Sequence, residues 1–238
     1  MNILEQIAER TKQRIQEEKA AFEFPFEKAL RGNDIAFICE VKKASPSKGV
    51  IAEDFDYVKI AKDYEKSGAA AVSVLTEPHW FKGSDSYLRE IANAVKIPLL
   101  RKDFTVDEYM IYEAKVLGAS AVLLIVAILD EATLKRYIEI AHSIGLSALV
   151  EVHDEGEIKT ALKAGARVIG VNNRDLKTFE VDISLSERLR GLVPSEVIFV
   201  AESGIKTRED IARLREIGTD AVLVGETLMR GGSLQSLR

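Results

Sequence analysis

Eight short apolar runs, each ending in polar residues and most followed by a helical pattern, constrain this chain more than any other feature. They cover 35–41, 70–75, 97–100, 121–126, 148–152, 168–171, 197–200 and 221–224. Near-continuous apolar runs of this length read as strands buried on both faces, as in a parallel sheet. Helical periodicity fills 57–66, 109–117, 134–144, 155–163 and 208–217, and Gly68, Gly118, Gly145, Gly165 and Gly218 stand just past those stretches, where a helix C-cap wants glycine. Strands alternating with crossover helices predict an α/β fold, a closed (β/α)8 TIM barrel. An open doubly wound sheet is the competing architecture. It would carry a glycine-rich fingerprint after its first strand, and the first run here leads into Lys43-Ala44-Ser45-Pro46 instead. A single domain of 238 residues suits such a barrel.

Residues 1–34 precede the first strand as an N-terminal helical extension, with the barrel itself at 35–238. Ile3, Leu4, Ile7 and Ile15 lie at amphipathic spacing, and this helix is expected to cap an open end of the core. Its charges exclude a signal peptide, and no apolar run approaches the roughly 20 residues of a membrane span.

In a barrel of this kind the C-terminal ends of the strands carry the site. Charge collects there: Glu40 and Lys42, Thr76 and Glu77, Arg101 to Asp103, Glu151 and His153, Asn172 to Asp175, Glu202 and Ser203, Gly225 and Glu226. Strand alternation puts Glu40 and Lys42 on one face and sends Arg101 and Lys102 to opposite faces. With Lys102 inside, Arg101 points to the helix layer. A buried lysine beside carboxylates can deliver a proton, and a desolvated carboxylate can accept one. The bland alternative is that these charges only pair to close the barrel top. Leu123 and Ile125 keep the fourth run apolar to its end, so the mouth has a charged part and a greasy part, suited to a ligand with an anion and a ring.

Two late segments, Ala201-Glu202-Ser203-Gly204-Ile205 and Val224-Gly225-Glu226-Thr227-Leu228, read as a phosphate cup of backbone N–H groups. Glu226 fits there if its amide donates while its side chain turns away. Ser45-Pro46-Ser47-Lys48-Gly49 adds hydroxyls and a cation. Bulk composition supplies no other anion trap. Net charge is -5, which argues against nucleic acid and anionic membranes as partners. His79, His142 and His153 are scattered and show no metal spacing. The single cysteine, Cys39, excludes an intramolecular disulfide and suits a reducing cytoplasm. It lies inside an apolar run as a space-filler.

Taken together, Glu40-Val-Lys-Lys-Ala-Ser-Pro-Ser47, Leu100-Arg-Lys-Asp-Phe104, Leu123-Leu-Ile-Val126, Leu149-Val-Glu-Val-His153, Gly170-Val-Asn-Asn-Arg-Asp-Leu176 and Ala201-Glu-Ser-Gly-Ile205 resemble the indole-3-glycerol-phosphate synthases of tryptophan biosynthesis. The motifs span nearly the whole chain in order. The resemblance implies a phosphorylated small-molecule substrate, 1-(2-carboxyphenylamino)-1-deoxyribulose 5-phosphate, closed to an indole with loss of carbon dioxide and water and without a cofactor. It implies Lys102 as general acid, Glu151 as its acid/base partner, and Lys42 as a cation for substrate carboxylate and phosphate. Glu40, Asn172, Glu202 and Ser203 match orienting polar groups, and Ser203, Gly204, Gly225 and the Glu226 amide match the phosphate cup. Ser45 belongs to the substrate-binding loop. Pro46, Phe81, Phe104, Leu123, Ile125, Arg174 and Leu176 match the wall around the ring. A monomer is expected, with other tryptophan-pathway enzymes as the partners this family suggests.

The stretch after Met229 is shorter than the family's final helix, which places any strain at the barrel seam rather than in the chemistry. Two other readings compete. A related barrel such as phosphoribosylanthranilate isomerase would need an inward cysteine, and Cys39 is one residue off the inward pair Glu40 and Lys42. A non-catalytic sugar-phosphate binder would have no use for Lys42, Lys102 and Glu151 together.

Overall fold

The computed structural model describes residues 2–175 and 177–238; Leu176 lies outside the described residues. Eight parallel strands close into a barrel. In chain order they are β1 (Ala36–Val41), then, after a small hairpin of β2 (Ala44–Ser45) and β3 (Gly49–Val50), β4 (Ala71–Leu75), β5 (Leu99–Lys102), β6 (Ala121–Ile125), β7 (Ser147–Val152), β8 (Val168–Asn172), β9 (Ile198–Glu202) and β10 (Ala221–Val224). Each barrel strand pairs with its sequence neighbour, and β1 closes the ring against β10, with Ala36 opposite Ala221 and Cys39 opposite Val224.

Strand alternation sorts the side chains into two cores. Phe37, Cys39, Val41, Val150, Val152, Phe199 and Ala201 face outward, where the helices cover them. Ile38, Leu100, Leu149, Val168, Ile198 and Val200 fill the barrel interior. The same parity carries Glu40, Lys102, Glu151, Asn172 and Glu202 to the inside at the strands' C-terminal ends.

The crossover helices are α3 (Tyr57–Lys66), α4 (Asp85–Ala92), α5 (Glu108–Val116), α6 (Glu131–Ser143), α7 (Glu155–Lys163), α8 (Ser184–Arg190) and α9 (Arg208–Glu216). Asp or Thr caps most of their N-termini: Asp56, Asp107, Asp130, Asp154 and Thr207 each accept from a backbone N–H of the first turn. Gly118 and Gly165 follow α5 and α7 at φ 93° and 88°, a conformation that disfavours any residue with a Cβ. α4 is capped at Asn93 without a terminal glycine, and α8, although Gly191 follows it, is only seven residues long, too short for a helical period to show. The third strand starts two residues later than its apolar run, at Leu99. Pro98 offers no N–H for the ladder, and the strand continues through Arg101 and Lys102.

One expectation is corrected. The N-terminal helix α1 (Ile3–Ala20) does not cap the core: none of its residues is buried. The floor is closed instead by the short α2 (Pro25–Leu30), whose Phe26 and Leu30 are fully buried among the interior barrel residues. Arg167 holds this plug by stacking on Phe24 at 4.0 Å and pairing with Glu27 at 2.7 Å. At the far end α10 (Glu226–Met229) and α11 (Leu234–Leu237) are single turns. They still seal the seam: Leu234 and Leu237 are buried, and Arg238 lies over Phe37 and donates to the Gly68 carbonyl at 2.7 Å. Among the described residues no helix is long and apolar enough to cross a membrane.

Candidate active site

A cavity of about 890 Å3 opens at the C-terminal ends of the barrel strands, and it holds the charged set read from the sequence. Glu40 and Lys42, on one face at the end of β1, pair at 2.5 Å. Lys102, the last residue of β5, lies 3.3 Å from Glu202 of β9 and 3.6 Å from Glu151 of β7. Asn172 of β8 donates to Oε1 of Glu151 at 3.2 Å, which leaves Oε2 as the oxygen facing Lys102. Arg101 turns outward, as its parity requires, and is held by Asp85, Glu113 and the Met110 carbonyl.

Three carboxylates therefore share this mouth with two ammonium groups. Burial alone would discharge all of them. Burial opposes the charge on Lys102, yet Glu202, Glu151 and Glu40 outweigh it and raise its pKa, so the group stays an ammonium. Burial likewise opposes the charge on Glu40, but Lys42 and Lys102 outweigh it and hold its carboxyl below the usual range. Glu202 goes the other way. Burial, with Glu151 alongside, overcomes Lys102 and pushes it up to about 7. Among the described residues neither of its oxygens meets a well-aligned hydrogen-bond donor; Lys102 is an ion-pair neighbour only. Glu202 is thus able to hold a proton near neutrality.

Backbone without side chains makes this crowding possible. A Cβ on Gly170 would overlap the Glu202 carboxylate, and one on Gly225 would come within 2.5 Å of Glu40 Oε1. Gly225 thus serves the carboxylate cluster as well as the rim loop in which it stands.

The two late glycine segments lie side by side. Ser203 and Gly204 take φ of 67° and 84°, and Thr227 ties their loop to α10 by donating to the Ile205 carbonyl at 2.7 Å. Contrary to the expectation from the sequence, the Glu226 side chain does not turn away. Glu226 lines the cavity, and its carboxylate pairs with two other lining residues, Arg230 at 3.2 Å and Arg174 at 3.6 Å. Across the mouth, Pro46 of the hairpin loop, Phe81, Phe104, Leu123 and Ile125 form an apolar wall, with the two phenylalanine rings 6.2 Å apart and Ser45, the last residue of β2, also lining the cavity. Asn173, at the opposite parity to Asn172, leaves the cavity and binds Ser186 and the Ser203 carbonyl. Cys39 is buried outside the barrel, and burial pushes its thiol up to about 12, which removes it as a nucleophile.

Sequence reasoning missed several contributors. Ser73 reaches Glu40 at 3.5 Å, and its signal was a hydroxyl at inward parity within an otherwise apolar strand. Trp80, Lys206 and Arg230 also line the cavity. They come from loops whose course no periodicity fixes. No group of three or more His, Cys, Asp or Glu able to hold a metal occurs among the described residues.

A sequence profile described as indole-3-glycerol phosphate synthase matches residues 2–237. Curated relatives of that name include one from Ruminiclostridium cellulolyticum, 63% identical over 88% of this chain and 80% of its own length. Another, from Leuconostoc mesenteroides, is 51% identical over 100% of this chain and 94% of its own. Among solved structures, an N-acetylmannosamine-6-phosphate 2-epimerase from Clostridium perfringens superposes with a TM-score of 0.64 at 17% identity, covering 82% of this chain and 88% of that one, a likeness of fold alone. The profile match over nearly the whole chain and these identities establish that this chain belongs to the indole-3-glycerol phosphate synthase family.

Proposed function

We propose that the chain closes the indole ring of 1-(2-carboxyphenylamino)-1-deoxyribulose 5-phosphate, releasing carbon dioxide and water, with Lys102 as the proton donor. The observation that carries this reading is the Lys102 ammonium, held between Glu151 and Glu202 inside a cavity with an apolar wall at one side and a glycine-rich rim at the other. The ring carbon that bears the carboxylate attacks the ketone carbon. As that bond forms, the ketone oxygen takes a proton from Lys102 and becomes a hydroxyl. Carbon dioxide then leaves, and its bonding electrons restore unsaturation in the ring. Loss of the hydroxyl as water needs an acid for the oxygen and a base for the ring proton, and Glu151 is placed to serve in this step beside Lys102.

Phosphate at Ser203, Gly204, Gly225 and the Glu226 amide, with the ring against Pro46, Phe81, Phe104, Leu123 and Ile125, would fix both ends of the substrate. Anchoring of this kind converts encounter into an intramolecular step. Lys42 and Arg174 supply cations for the substrate carboxylate until it departs. Glu40 and Asn172 orient Lys42 and Glu151. An isomerase of the phosphoribosylanthranilate type is disfavoured by the outward, high-pKa Cys39.

Lys102→Ala should abolish turnover, read as the rise of indole fluorescence from this substrate, while binding persists. General acid help alone is typically worth about 10²–10⁴-fold. Near-normal turnover in that variant would overturn the assignment.

A further inference from the structure

We propose that His153 is a positioning residue for Glu151: an imidazolium anchored by Glu157 that grips one oxygen of the Glu151 carboxylate and leaves the other turned to Lys102. The proposal rests on the reading of Glu151 as acid/base partner and names what holds it.

The ring stands between two carboxylates. Nδ1 lies 3.1 Å from Glu157 Oε2, and the same oxygen accepts the His153 backbone N–H at 2.7 Å. Glu157 in turn belongs to the first turn of α7, where its own N–H is capped by Asp154. The ring is therefore fixed by a rigid element rather than by a free loop. Its other nitrogen, Nε2, points at Oε1 of Glu151 from 3.5 Å. Nε2 is shielded from solvent and, among the described residues, meets no hydrogen-bond partner.

A neutral imidazole cannot satisfy this arrangement. With its proton on Nδ1 for Glu157, it would set a bare lone pair against the Glu151 carboxylate. Only the doubly protonated ring offers a donor to both. A separation of 3.5 Å is an ion pair rather than a formed hydrogen bond. Glu157 alone could be explained as a structural tie at the start of α7. That explanation accounts for Nδ1 and leaves Nε2 aimed at Glu151 without a reason.

The other groups facing the ring agree. Glu202 from β9 and Asp175 from the loop after β8 add negative charge, and Lys102 stands beyond Glu151. Burial opposes the imidazolium, yet Glu157, Glu151 and Glu202 outweigh it and raise the pKa of His153 above its ordinary value. The imidazolium therefore persists to higher pH than that of an ordinary histidine and is lost as pH rises further.

The test compares kcat and KM against pH for the wild type, Glu151→Gln, His153→Ala, His153→Gln and Glu157→Gln. His153→Ala should lower kcat by about 10²-fold, the scale of a carboxylate displaced by an ångström, with KM little changed. His153→Gln retains an N–H near the Nε2 position without a titrating ring. It should recover most of kcat and lose the alkaline fall that His153 causes. Glu157→Gln keeps the ring and the backbone contact but removes one supporting charge, so the same limb should move to lower pH; this variant stands even if His153→Ala folds poorly. If Glu151→Gln is inactive while the His153 variants keep the wild-type kcat and pH profile, the positioning role is overturned and the assignment of Glu151 stands. If Glu151→Gln is itself fully active, that assignment fails first and this inference falls with it.

Discussion

At the scale of single residues, the active mouth depends on side chains that are missing. Glu202 occupies the space where a Cβ on Gly170 would stand, and neither backbone conformation nor a turn requires glycine at that position. Gly170→Ala therefore tests the carboxylate cluster almost in isolation. The methyl group must displace the Glu202 carboxylate from its place beside it, and Leu149, 3.1 Å from the methyl, leaves the methyl no room to move instead. Turnover should fall by at least about 10-fold, while circular dichroism and the cooperativity of unfolding stay native. A Gly170→Ala enzyme with wild-type kcat would mean that the placement of Glu202 beside Lys102 is immaterial.

At the scale of elements, the barrel floor is a plug, and the two N-terminal helices divide into one that matters for stability and one that does not. Phe26 and Leu30 of α2 meet Ile38, Leu100, Leu149 and Ile198 inside the barrel, whereas α1 buries nothing. Phe26→Ala should cost about 3–5 kcal/mol, as for other large aromatic truncations in a packed core. Ile7→Ala in α1 should cost almost nothing. Equal urea midpoints for the two variants would refute this division. This end of the chain is also the least legible in the sequence. The amphipathic spacing of Ile3, Leu4 and Ile7 gives a true helix and a false docking site, because periodicity reports a face and not what covers it. The plug is a six-residue stretch led in by Phe24 in the left-handed region, too short for any period to declare itself. By contrast the eight strands are legible from apolar runs alone, and so is the parity that sets Glu40 and Lys42 on one face and turns Arg101 away from Lys102, because a one-residue slip would exchange the barrel interior for the helix layer. What parity could not reach were the loop-borne Trp80, Lys206 and Arg230, which stand outside the strands, and the pairing of the Glu226 side chain with Arg174, far away in sequence.

For the molecule as a whole, the site is a stability defect that the barrel carries. A carboxyl buried at the strand ends and pushed up to about 7 is less at home as an anion in the folded chain than in the unfolded one. The sign follows. The raised folded pKa gives a contribution to stability that is fully present below the ordinary carboxylate range, near 4.5, and is lost as pH rises through about 7. Above that, Glu202 burdens the fold. Glu202→Gln removes the burden with little change of shape, and Glu151 and Glu40 still balance Lys102. At about pH 8 the variant should melt higher than the wild type by on the order of 5 °C, since a tenfold change in proton affinity is worth about 1.4 kcal/mol and each kcal/mol moves the midpoint of a chain this size by a few degrees. Near pH 4 the two should melt together, since both then carry a neutral group. Turnover should fall at the same time, because the amide no longer holds the Lys102 ammonium as an anion does, and that opposition of stability and activity is what a functional strain predicts. A variant that melts lower than the wild type at about pH 8 would mean that the attraction between Glu202 and Lys102 exceeds the penalty of burial, and the proton would then have to reside elsewhere in the cluster.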